Sequence, residues 1–272
     1  MARRPLWVIV DRELRTLARN RTLLLVAVAF FAVVVGLGGA SMGSPGGYVS
    51  LTLDLLTPVE VLVPTVAFAV TYQSIRGDAV RGELDVIRTH PVSRTTYVVG
   101  VFLGRAAALL VLVFVSLTVA GVLAASGANQ PSAYFATHSA GDTPVVYARF
   151  VALSGLYLLV VTAISLAVSA AARSRREALA LAVGLLILLA VGLDLAVVTL
   201  LTADAVTGTA LGTVLGFSPA SAFRGLVFAA AVEPALATPP PVPTAAVPAS
   251  VLGLASWLAG ALGVAVVAVW RS

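Results

Sequence analysis

The sequence predicts an all-α, polytopic membrane protein with six transmembrane helices, and three observations predict it. Composition is the first: of 272 residues, 60% are hydrophobic and 11% charged, against about 25% charged in a soluble domain. Mean hydropathy is +1.04. High hydrophobicity with low charge excludes a soluble globular fold and intrinsic disorder together. The second observation is that apolar runs recur at the length of about 20 residues that a helix needs to cross a bilayer. The third is that basic residues crowd into alternate connections between those runs.

One membrane domain, residues 1–272, accounts for the chain. Its spans are expected at about 23–39, 51–72, 97–125, 145–172, 178–201 and 251–270. The second is the weakest, because Asp54, Pro58, Glu60 and Pro64 interrupt it. The third and fourth exceed one crossing, which predicts tilt or an interfacial extension. All 17 basic residues are arginine. Arg3, Arg4, Arg12, Arg15, Arg19 and Arg21 precede the first span; Arg76, Arg81, Arg88 and Arg94 lie in the loop 73–96. Arg173, Arg175 and Arg176 follow span four, and Arg271 follows span six. The other connections hold only Arg224, with Arg149 at the edge of span four. Positive charge stays inside, so both termini are expected in the cytoplasm and the chain in the cell membrane. The first span is expected to remain uncleaved, since a long charged segment separates Arg4 from the apolar run that a signal peptide would join directly.

Residues 5–20 place Leu6, Val10, Leu14 and Leu17 on one stripe, with Arg12, Arg15 and Arg19 elsewhere and Asp11 four residues before Arg15. That pattern predicts an amphipathic helix lying along the inner leaflet, either as an anchor to anionic lipid or as a connector to a cytoplasmic partner. In the loop 73–96, Val80, Leu84 and Ile87 share one helical face. Asp78, Arg81, Asp85 and Arg88 share the other, spaced to support one another, and Pro91 ends the helix. The pattern suits a docking element and a solvated hairpin tip equally. The loop 202–250 is expected outside. Within it Phe217–Ala230 is apolar enough to lie at the interface or dip into the membrane, and Glu233–Pro248 reads as a proline-rich spacer. The polar connection 126–144 carries His138 and Asp142.

Ionisable residues inside spans are costly and point to function. Glu60, Arg149 and Asp194 all fall in the outer parts of their spans and are expected to gather in one polar cluster, with Arg149 pairing Asp194 to pin two helices together. Arg105 is expected to snorkel back to the cytoplasmic surface. Gly39-Ala40-Ser41-Met42-Gly43 fits the pattern of a nucleophile elbow, which needs a strand–turn–helix and a histidine base. The histidines are His90, on the opposite side by topology, and His138. His90, His138, Met1 and Met42 fit no metal-ligand spacing, and with 0 cysteines there is no disulfide or thiolate site. Without lysine there is no P-loop to grip ATP. No residue is assigned a catalytic or metal role, and the net charge of +5 points by its placement to a lipid bilayer and not to nucleic acid.

The stretch Asp78–Arg94 resembles the cytoplasmic loop of the permease subunits of type 2 ABC exporters, which reads Glu-x-Glu-Arg-Gly-Thr-Leu, then an apolar stretch and Pro-Val/Leu-Ser-Arg. Asp78, Arg81, Gly82, Leu84, Pro91, Val92, Ser93 and Arg94 match, while Val80 and Glu83 depart from it. Arg12-Glu13-Leu14 and Arg19-Asn20-Arg21 look like the elbow helix of that family. The resemblance implies a separate ATPase subunit that uses ATP and docks on Asp78, Arg81, Gly82, Glu83, Leu84, Pro91, Ser93 and Arg94. It also implies a second permease copy, in a homodimer, and no cofactor bound by this chain. Pro64, Tyr72, the run Gly192-Leu193-Asp194-Leu195, Phe217-Ser218-Pro219 and Phe223-Arg224 resemble the NosY-type group, associated with nitrous oxide reductase maturation. That likeness implies an extracytoplasmic copper-handling partner. The alternatives are a generic exporter permease for a lipid or drug-like cargo, an intramembrane hydrolase using Ser41, and a non-transporting membrane scaffold.

Overall fold

A computed structural model describes residues 5–41, 47–89, 92–127, 143–203, 208–235 and 246–270, and every regular element among them is helical. The N-terminal region forms two helices, α1 (Pro5–Arg19) and α2 (Arg21–Ala40). Asn20 separates them: its backbone is extended and its side chain accepts hydrogen bonds from the amides of Thr22 and Leu23. This is an N-cap, which satisfies amides that the first turn of a helix leaves unpaired. It divides a charged, amphipathic helix from one that is apolar from Leu23 onward.

Helix α3 (Gly47–Thr71) runs unbroken through Pro58 and Pro64, so the span that looked weakest in the sequence is continuous. Two short helices follow, α4 (Ser74–Val80) and α5 (Glu83–Arg88). One helix was expected here; the break falls at Gly82, whose φ of 73° is left-handed and favours glycine because it has no Cβ. Then come α6 (Arg94–Gly127), α7 (Pro144–Ala171) and α8 (Arg175–Ile187). A π-helical turn, Leu188–Gly192, joins α8 to α9 (Leu193–Thr202). The helices α10 (Gly208–Phe217) and α11 (Pro219–Val227) form a hairpin, followed by a second π turn, Phe228–Val232, and by α12 (Val247–Ala268).

Among the described residues six stretches are long and apolar enough to cross a membrane: Arg21–Ala40, Gly47–Val80, Arg94–Ser126, Pro144–Ala171, Arg175–Leu200 and Val247–Ala268. They coincide with the six expected spans, and the chain is a multi-pass membrane protein. Helix α7 is the axis of the bundle. Its most apolar stretch is 67% buried, against 17% for α2 and for Arg175–Leu200, because α3, α6, α11 and α12 all pack on it.

Small residues set the closest helix approaches, as in other membrane bundles where packing replaces the hydrophobic drive. Gly100 and Gly104, four apart on α6, form a seat for α1: a Cβ on Gly104 would lie 2.6 Å from Glu13 Cβ, and one on Gly100 2.8 Å from Ile9 Cγ2. The hairpin α10–α11 folds back on α12 and α7, burying Ala220, Ala222, Phe223 and Val227. The stretch expected to lie at the interface or dip inward is therefore an internal part of the bundle at α11.

Candidate functional site

Two ion-paired clusters bring together the buried charges among the described residues. The first lies where α1, the α4–α5 loop and α6 meet, with Asp78 at its centre. Asp78 is buried on α4, and three donors reach it. Arg12 Nη2 donates to Oδ2 at 2.6 Å, Arg81 Nη2 to Oδ1 at 2.6 Å, and the Tyr97 hydroxyl to Oδ2 at 2.7 Å. Arg81 Nε also donates to Glu83 Oε1 at 2.6 Å, and Arg12 Nη1 to Glu83 Oε2 at 3.4 Å. Arg12 further reaches Glu13 Oε1 at 2.7 Å, and Glu13 Oε2 accepts from Arg105 Nε at 2.9 Å.

Three guanidiniums thus face three carboxylates in one chain of contacts. Burial works against the charge on Arg12, and Asp78 and Glu13 outweigh it, leaving its pKa above that of an ordinary arginine. The hydrogen bond to Glu83 raises that of Arg81, against partial burial and with help from Asp78. Both guanidiniums stay charged, and Asp78 keeps its donors.

Two expectations change here. Arg105 does not snorkel to a surface: it is buried, paired with Glu13 and donating to the Val70 carbonyl. On α1 the buried positions are Ile9, Val10, Glu13 and Leu17, while Leu14 is exposed. An acid with an arginine partner replaces a leucine in the packed stripe, because the face of α6 that meets α1 carries Arg105. Of the other loop residues, Leu84 is buried. Gly82 supplies the break, and the Ser93 hydroxyl accepts from the Thr96 amide at the start of α6. Arg94 is exposed, and Pro91 lies outside the described residues. Asp85 and Arg88 form a loose pair at 3.7 Å, and the Arg88 guanidinium lies 4.9 Å from the centroid of the Trp270 ring, which stacks on Tyr97.

The second cluster lies inside the bundle, where α11 meets α3 and α9. Arg224 grips Glu60 with two bonds, Nε to Oε2 at 3.1 Å and Nη2 to Oε1 at 2.5 Å, and Nη2 also reaches Asp194 Oδ2 at 3.0 Å. The Ser221 hydroxyl donates to Asp194 Oδ1. Phe223 stacks on Tyr157 at 4.8 Å, and the Tyr157 hydroxyl donates to the Glu60 backbone carbonyl at 3.3 Å. Glu60 and Asp194 therefore do come together, but Arg149 is not their partner. It is exposed and donates to the Ala230 carbonyl of the second π turn at 2.8 Å. The cation in the cluster is Arg224. Its signal in the sequence was its position, the one arginine in a long connection otherwise free of them.

Ser41 donates to the Leu37 carbonyl and to Asp54 Oδ2, both at 3.3 Å. Met1, Met42, Gly43, His90, His138 and Asp142 lie outside the described residues. Among the described residues no three His, Cys, Asp or Glu side chains gather as a metal site would require.

A helical membrane bundle with a polar knot at the α4–α5 loop and an ion-paired hairpin within is the architecture of a multi-pass membrane domain. The chain belongs to the ABC-2 family of transporter proteins, whose sequence profile matches residues 7–271. It is similar to the probable ABC transporter permease protein NosY of Pseudomonas aeruginosa, 33% identical over 104 residues. That alignment covers 36% of this chain and 38% of the relative. The protein of the same name from Stutzerimonas stutzeri is 29% identical over 104 residues, with the same coverage. The chain thus matches little more than a third of the length of these relatives.

Proposed function

We propose that the chain is the membrane-spanning permease subunit of an ABC transporter, driven by a separate ATPase that docks on α4 and α5. The observation that carries this reading is the position of Asp78. It is the point through which the loop, α1 and α6 are tied together, so a push on α5 is delivered to two helices at once. The exposed Val80, Arg81 and Asp85 are the contact surface, and the buried Asp78 and Leu84 are the supports behind it. ATP hydrolysis belongs to the partner, since this chain has no lysine for a phosphate grip. The arginines around α4–α5 favour a cytoplasmic position for that end and for both termini of a cell-membrane protein, with α1 as an elbow helix along the inner leaflet.

A second permease copy completes the transporter as a homodimer. Likeness to the NosY permeases favours a role in maturing the copper centre of nitrous oxide reductase, with an extracytoplasmic copper-handling protein as a further partner. Two histidines, two methionines and no cysteine in the sequence favour a mechanical or sulfur-linked contribution over passage of copper through this chain. The competing readings are a generic exporter of a lipid or drug-like cargo and a non-transporting scaffold. Tagging the protein in its native membrane, solubilising it gently and identifying what copurifies tests the reading. Recovery of an ATPase with a Walker motif is expected, and a preparation that lacks one contradicts it.

A further inference from the structure

We propose that the groove between α1, α2 and α6 binds one anionic phospholipid of the inner leaflet. The groove has a volume of about 530 Å³, and Leu14 and Leu17 of α1, Leu23 and Leu24 of α2, and Leu109 and Leu112 of α6 form its walls. Every lining residue is apolar, so its occupant is a hydrocarbon. It opens between two membrane spans, beside the exposed Leu25 and Val111, which makes the bilayer its source.

The charge at one end of the groove selects the headgroup. Arg19 and Arg21 flank Asn20 at the α1–α2 break, Arg19 next to the lining residue Ala18 and Arg21 one turn before Leu24 on the same face. Arg12, Arg81, Arg105 and Arg224 are all held by carboxylates, and Arg15 is paired with Asp11. Arg19 and Arg21 are exposed, and among the described residues neither has an ion-pair or hydrogen-bond partner. Two unpaired guanidiniums at the mouth of an apolar groove complement a phosphodiester with an acyl chain beneath it. The α2 amides of Thr22 and Leu23 are already taken by Asn20, so the anion is held by these side chains. Occupied in this way, the groove would fill the wedge between α1 and the bundle, and the lipid would brace the helix that carries Arg12 and Glu13.

This inference rests on the reading of α2 and α6 as spans with α1 at their cytoplasmic end, and it is independent of ATPase docking. The test uses the full chain without its partner, purified in mild detergent and examined by native mass spectrometry with added phosphatidylglycerol or phosphatidylethanolamine. Phosphatidylglycerol is expected to remain bound in preference to phosphatidylethanolamine. Arg19→Gln and Arg21→Gln should each lower its retention by about fivefold, the weight of one arginine at an anionic membrane surface. Ala108→Trp, which fills the groove without altering charge, should abolish retention; should that variant misfold, the two arginine variants decide alone. Equal retention of the two lipids, or phosphatidylglycerol retention unchanged in the arginine variants, overturns the proposal. Loss of a dimer instead of a lipid on filling the groove assigns it to a second copy of the chain and overturns it as well. Absence of a copurifying ATPase would remove the docking reading and leave the lipid result standing.

Discussion

The cluster around Asp78 balances three guanidiniums against three carboxylates, whereas the cluster around Glu60 offers one guanidinium to two. The first joins α1, α4, α5 and α6 through many redundant bonds. The second ties a hairpin that is otherwise held by apolar packing to both acids through one cation, Arg224. Neutral redundancy makes a stiff joint suited to carrying movement. A single cation shared by two acids makes a latch, which one substitution opens. Both buried carboxylates need their partners, since an ion inside a protein or membrane is costly unless it is paired.

The comparison predicts a graded series of losses, each read as thermal unfolding in detergent. Asp78→Ala leaves Arg12, Arg81 and Tyr97 without their common acceptor. Removing one partner of a buried pair costs about 3–5 kcal/mol, and the low end applies because the Arg12 side chain is 32% exposed. Arg224→Gln strands Glu60, with a smaller cost of about 2 kcal/mol because Arg224 is 42% exposed. Adding Glu60→Gln should recover most of that loss, since replacing both members of a pair is often neutral. A double variant no more stable than Arg224→Gln would break the description of this cluster as a latch. Arg149→Ala, which removes only an exposed contact to a carbonyl, should change stability by less than about 0.5 kcal/mol. A loss as large as that of Arg224→Gln would return Arg149 to the cluster.

The spans were legible because bilayer crossing demands long apolar runs, and such runs need no tertiary information to be seen. The pairing of charges was not legible, because it depends on which helix lies beside which. Arg149 and Asp194 looked like natural partners by depth, yet α11 brings Arg224 to Asp194 across 30 residues of chain. Glu13 was hidden next to Leu14, which fits the apolar period better; Arg105 on α6, together with Arg12, explains why the acid turns inward. Gly100 and Gly104 carried a signal that the spacing of small residues could have supplied. The turn at Gly82 was similarly marked by the glycine itself, in a stretch whose charge pattern suggested one uninterrupted helix.

The central claim is that the polar knot at Asp78 transmits movement between a docked ATPase and the spans. Its most direct test is ATP hydrolysis by the copurified ATPase in the presence of this chain carrying Arg81→Glu. The Arg81 side chain is 50% exposed, and Asp78 keeps Arg12 and Tyr97 as donors when Arg81 is replaced, so the chain should still insert and fold. Hydrolysis is expected to lose its dependence on the membrane subunit, and adding Glu83→Arg to restore the pair is expected to bring that dependence back. A folded Arg81→Glu chain that couples like the native one would contradict the account.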